Sequence, residues 1–274
     1  MHDQLKNIRQ LPQDILSILN QLIVNRIGNK PEASMLTRDI IGHFSPNVRY
    51  QVISNKTSPD EAISLVECHV KKPIHTSFRG IWEKDETTKH TSANILGGMG
   101  TLYLNNSDLT TIPVITATAE SLAFYHAKLI HPGEELQFET RKNLPLTDTF
   151  IGEDYISGYL THNAHGGGDY IEYHNEPHLW IPNSRDSAGH ILLGRQEEDV
   201  FYLTGFSIPF GCGVYLSPYA LHSDAYLIGH YKVVYTVAEH YSTVIFKNHE
   251  NQPIKLSFDY TCKTNHLKKC AINV

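Results

Sequence analysis

The segment Gly168-Asp-Tyr-Ile-Glu172-Tyr-His174-Asn-Glu176-Pro-His178 places carboxylates and imidazoles at alternating positions. Side chains alternate faces along a β-strand, so Glu172, His174, Glu176 and His178 are expected to share one face. A further histidine closes Gly213-Val-Tyr-Leu-Ser-Pro218-Tyr-Ala-Leu-His222, after a proline turn. A neutral imidazole offers a nitrogen lone pair and a carboxylate adds negative charge, a donor set that suits Fe(II), Mn(II), Ni(II) or Zn(II). Two ligand sets are open. His174, Glu176 and His222 would leave coordination positions for substrate or O₂. His174, His178 and His222 would form a three-histidine site, with Glu176 or a water completing it. Glu172 reads as a surface residue or a support for a ligand.

Other residues carry weaker signals. Asp224 could orient His222 or end its strand. Tyr215, Tyr219, Tyr226 and Tyr235 surround the second segment. They read as an aromatic lining, with Tyr219 the candidate acid or substrate clamp; Glu176 is the second catalytic candidate. His162 and His165 flank a glycine-rich turn, while His190, His230 and His240 begin or end expected strands without a clear partner. No GxSxG elbow is present, and Gly97-Gly98-Met-Gly100 lacks the Lys-Ser/Thr ending of a phosphate loop.

The elements that must position these residues are mostly strands. From about residue 113 the chain is a series of short β segments, at 121–130, 135–141, 169–176, 178–181, 190–195, 200–208, 213–217, 230–237, 242–247 and 254–260. Turn signals such as His131-Pro132-Gly133 and Pro209-Phe-Gly211 separate them. Many short strands without intervening helices predict a sandwich, jelly roll or barrel. Before them, Pro12 and Asp14 start a helix expected over 12–27, with Ile15, Leu16, Ile18, Leu19, Leu22, Ile23 and Ile27 on one stripe. That stripe packs on the core or on a second subunit, which makes a homodimer the oligomeric alternative. Residues 48–53 and 63–70 are candidate strands, and Trp82 either lines a pocket or covers the barrel.

Composition narrows the classes of partner. The 274 residues carry a net charge of −6 and 41% hydrophobic residues, an ordinary globular balance. Without a long basic run, nucleic acid and anionic membranes are not expected partners; a small molecule is. No apolar run reaches spanning length and no secretory leader is evident. The four cysteines form no CxxC pair. A reduced, cytoplasmic setting is the expectation.

The stretch from about 165 to 237 resembles the cupin superfamily, the small double-stranded β-helix barrel. Its first motif is a glycine, a spacer, His-x-His and a later glutamate; here Gly168 and His174 match, Glu176 stands in the slot of the second histidine, and Trp180 and Ile181 stand where the later glutamate would be. Its second motif is a glycine, a proline and a nearby histidine, matched by Gly213, Pro218 and His222. The resemblance implies an all-β cupin-type barrel over 113–274, with residues 1–112 supplying the helix and an irregular β layer. A second barrel is the architectural rival, although residues 1–110 lack another such motif pair. It also implies a divalent transition metal, Fe(II) first and Zn, Mn or Ni as alternatives, in an enzyme acting on a small polar molecule. A non-haem dioxygenase leads. If 2-oxoglutarate is the co-substrate, Lys232 or Arg195 would anchor its carboxylate. A redox-neutral isomerase, epimerase or lyase and a non-enzymatic binding barrel are the other readings.

Overall fold

A computed structural model describes residues 11–46, 48–51, 72–85, 99–105 and 111–261. Two large sheets contain nearly all of its strands. The first runs in the order β1 (Asn25–Ile27), β2 (Ala33–Phe44), β9 (Leu144–Ile151), β17 (Leu227–Val234), β11 (His178–Pro182), β15 (Gly213–Leu216), β7 (Ala127–Ile130). The second is a closed ring of β13 (Ile191–Glu197), β16 (Leu221–Ser223), β10 (Tyr170–His174), β18 (Tyr241–Lys247), β5 (Met99–Leu104), β4 (Thr76–Glu83) and β14 (Val200–Ser207), sealed by β13 pairing with β14. β6 (Ile112–Thr116) adds in parallel to β14, and β19 (Phe258–Asp259) to β6. β12 (Ala188–Gly189) pairs with β17, and β3 (Arg49–Gln51) with β8 (Glu135–Gln137). Strands from before residue 113 are thus hydrogen-bonded into both sheets.

Alternation along the strands divides the ring into two environments. Ile171, Val244 and Phe246 point into it, as do Leu102, Phe78 and Phe201, all buried. Phe78 stacks on Phe201 at 5.5 Å between ring centroids, and the Trp82 indole donates to Ser242 Oγ at 2.9 Å. The ring interior is therefore a packed apolar core. Packing is tight at Gly194, where a Cβ would come within 2.8 Å of Ile171 Cδ1 and displace that side chain. The opposite faces of β10 and β16 carry Glu172, His174 and His222 and look toward the first sheet. Its facing residues include Thr147, Thr149, Tyr231, Val233, His178 and Trp180.

Several expected elements differ. The N-terminal helix is two short helices, α1 (Gln13–Ser17) and α2 (Leu19–Leu22), interrupted at Ile18 (φ −110, ψ 6). The chain then becomes extended and pairs as β1 with β2. Ile15 and Leu22 are fully buried, Leu16 and Leu19 half-buried, and Ile23 is 42% exposed. β-branched Ile23 and Val24 favour the extended backbone that β2 can pair. Within 121–130, α3 (Ala119–Ala123) precedes β7, started by a capping box between Thr118 and Ser121. The candidate strand at 63–70 and the turn at 97–98 lie outside the described residues.

Candidate metal centre

The chain leaves the ring at His174 and enters the facing sheet at His178, so the two imidazoles belong to different strands, β10 and β11. The expectation that Glu172, His174, Glu176 and His178 share one strand face is thereby corrected. Pro177 cannot donate to a ladder, and Asn175-Glu176-Pro177 forms the crossover instead. Asn175 secures it: its amide N–H donates to His240 O at 2.9 Å, and its side-chain oxygen accepts from the backbone N–H groups of Glu239 and His240. Convergence arises because the two sheets face each other.

His222 arrives from β16, directly opposite Glu172 of β10 in the ladder. The imidazole centroids of His174, His178 and His222 lie 4.1, 4.9 and 5.1 Å apart, pair by pair. One nitrogen from each ring falls within 4.8 Å of the others, and all three residues are buried. His174 Nδ1 lies 2.6 Å from Glu176 O, and His222 Nδ1 lies 2.9 Å from Ala220 O. A carbonyl can only accept, so both Nδ1 atoms carry the hydrogen and both Nε2 atoms present lone pairs.

Those two Nε2 atoms are 3.3 Å apart. Protonation is the ordinary way to relieve two facing lone pairs, and burial opposes it. The His174 pKa is pushed down to about 3 by burial and then by His222. His178 is held well below the ordinary value by burial, then by His174 and His222; His222 is lowered by burial. Two nitrogens bound tetrahedrally at about 2.0–2.1 Å from one ion stand roughly 3.3 Å apart. His178 Nδ1 is buried without a hydrogen-bond partner. The donor set fits a divalent transition ion held by His174, His178 and His222.

The carboxylates divide differently from expectation. Glu176 turns away from the imidazoles: its side chain accepts from Thr140 Oγ1 at 2.6 Å and pairs with Lys142 at 3.2 Å. Lys142 also pairs with Glu239 at 3.0 Å. Only the Glu176 carbonyl serves the cluster. Glu172 lies beside the cluster instead, buried, with Oε1 3.7 Å from His222 Nε2 and Oε2 accepting from Thr243 Oγ1 at 2.9 Å. Burial, then the nearby Asp224 charge, raises its pKa. Asp224 accepts from the Tyr170 hydroxyl at 2.6 Å.

The remaining candidates lie elsewhere. Tyr219 is 55% exposed at φ 66, its ring 6.2 Å from Tyr173, and its backbone N–H donates to His174 O. Lys232 sits between Tyr231 and Val233 on β17, and alternation directs it to the outer face of the sheet. Arg195 donates to Phe124 O and pairs with Glu197 at 3.1 Å. His162 contacts Asn29, His165 stacks on Tyr159, His190 on Tyr226, and His230 lies against Phe150; His240 is exposed. None joins the three-histidine cluster.

A cavity of about 50 Å³ adjoins the cluster, bordered by His178, Glu172, Trp180, Asp224 and Arg26. Arg26 carried no sequence signal, being a lone cation near the end of the expected helix. Among the described residues no helix is long and apolar enough to cross a membrane. Comparison with family models, curated proteins and solved structures returns no match to this chain.

Proposed function

We propose that this chain is a metal-dependent enzyme on a cupin-type double-stranded β-helix, acting on a small polar metabolite, with a non-haem Fe(II) dioxygenase as the leading form. The observation that carries the reading is the buried triad of neutral imidazoles with two Nε2 lone pairs 3.3 Å apart. The strand order supports the fold: β9, β10 and β11, and again β15, β16 and β17, alternate between the two facing sheets. A dication held by His174, His178 and His222 would supply one-electron chemistry toward O₂ if it is iron, or Lewis-acid polarisation if it is zinc or manganese. Around it the protein excludes water with Trp180, Leu193 and Val233, all 2% exposed or less. The carbonyls of Glu176 and Ala220 hold the tautomers of two ligands.

A redox-neutral isomerase, epimerase or lyase is the second reading. Glu172 favours it, as a buried carboxylate with a raised pKa beside the cluster, suited to accept and return a proton. The test is elemental analysis of the purified chain, followed by O₂ uptake by the Fe(II)-loaded protein on pools of small polar metabolites, with and without 2-oxoglutarate. Oxygen consumption coupled to a product supports the dioxygenase, and succinate release identifies the 2-oxoglutarate branch. Turnover without O₂ supports the redox-neutral form. Failure to take up any metal returns the chain to the binding-barrel class.

A further inference from the structure

We infer that the cavity beside the three histidines is a carboxylate-binding subsite, in which Arg26 and the Trp180 indole N–H receive the acid group of a small organic ligand. This deepens the enzymatic reading and rests on it for the reaction, while the binding itself depends on Arg26 and Trp180. Arg26 is only 7% exposed, and among the described residues it pairs with no carboxylate. One of its N–H groups donates to the Tyr155 hydroxyl, and its guanidinium lies over the Tyr155 and Tyr159 rings at 5.5 and 5.7 Å. Glu172 and Asp224 border the same cavity but form no ion pair with Arg26, and a buried guanidinium is costly unless its remaining donors meet an acceptor. Arg26 is the one cationic side chain bordering the cavity. Trp180, 2% exposed on the same wall, has an indole N–H without an acceptor.

The position of Arg26 is built. The register between β1 and β2 shifts after Arg26, so that Arg26 opposes Met35 while Ile27 opposes Ala33. Such an irregularity re-aims the side chain beside it. The next residue, Gly28, approaches the turn Ile156–Leu160 so closely that a Cβ would overlap Gly158 O. That turn carries Tyr159 and follows Tyr155, and the two rings stack at 5.8 Å. Tyr235 donates to Leu22 O at 2.9 Å, tying the chain just ahead of β1 to the wall that also carries His178. Arg26 and Trp180 both border this cavity, and a guanidinium with a second N–H donor suits the oxygens of a carboxylate. A phosphate would ask for more cations, and the nearest other charged groups, Glu172 and Asp224, are acidic. The cavity holds a few waters' worth of space, which selects a short acid.

The test is calorimetric titration of the full chain, metal-loaded and metal-stripped, with linear mono- and dicarboxylates of two to five carbons, and with their amides as uncharged controls. At least one acid should bind, and its amide should bind roughly tenfold or more weakly. Arg26→Gln should weaken the acid by a similar factor while leaving metal content unchanged. Arg26→Lys, which keeps charge but loses the planar fork, should fall between them, and Trp180→Phe should cost several-fold. If Arg26→Gln does not fold, the Arg26→Lys and Trp180→Phe titrations decide. Equal binding by wild type and every folded variant, or no binding of any acid, overturns the subsite. A chain that binds acids through Arg26 yet takes up no metal contradicts the metal centre and leaves the subsite standing.

Discussion

At the scale of single residues, tautomer control prepares two of the three ligands. His174 and His222 each commit Nδ1–H to a backbone carbonyl, which directs the remaining lone pair at the cluster. All three histidines were named from the sequence, but alternation along one strand is not what joins them, since His174 and His178 stand in different sheets. The roles of the carboxylates were not legible: a glutamate two positions after a histidine looks like a ligand, and only the Lys142 and Thr140 contacts reveal that Glu176 supports the crossover. Glu176→Ala should lower stability by about 1–3 kcal/mol, the scale of a lost charged hydrogen bond, while one metal per chain is retained. Loss of the metal in that variant would restore Glu176 to the ligand set. Burial makes the metal-free protein acid-sensitive. In the unfolded chain these histidines take up protons below about pH 6.5, whereas the folded state resists protonation until far lower, His174 until about 3. The unfolded state then binds more protons, so stability falls as pH drops through that window. Melting temperatures of the metal-stripped chain should decline from pH 7 to pH 5, and less steeply in His178→Gln; parallel slopes would contradict the assignment.

At the scale of elements, the late strands were legible and the early ones largely were not. β13 and β14 follow turn signals and hydrophobic content, and their hairpin turns on Glu198 at φ 57. β2 escaped because its pairing with β9 shifts register twice, between Thr37 and Asp39 and between Ile40 and Gly42. Each shift breaks the two-residue period on which recognition depends. β9 escaped because its inward positions include Thr147 and Thr149, buried hydroxyls where an apolar alternation would be sought. The ring stands or falls on its aromatic filling. Phe201 is fully buried against Phe78 and Trp82, and Phe201→Ala should cost about 3–5 kcal/mol. Denaturant titration checks this, and a loss below about 1 kcal/mol would mean that the ring interior is not the packed core described.

At the scale of the molecule, the site is a product of two sheets meeting. The ring contributes His174, His222 and Glu172, the facing sheet contributes His178 and Trp180, and the N-terminal strand brings Arg26 to the cavity they share. No single strand carries the centre, which is why the residues were readable from sequence while their mutual placement was not. Glu172→Gln, which leaves all three imidazoles in place, should keep the metal and so separate a supporting carboxylate from a fourth ligand. Element-specific analysis settles this by showing whether stoichiometry survives or is lost. The central claim is the ion itself. The most direct measurement is metal stoichiometry of the purified chain beside His222→Ala and the exposed control His240→Ala, each loaded with Fe(II) or Zn(II) and desalted. The account predicts about one ion per chain in wild type and in His240→Ala, and at least a tenfold loss of affinity in His222→Ala. Equal occupancy in wild type and His222→Ala, or none in either, would contradict it.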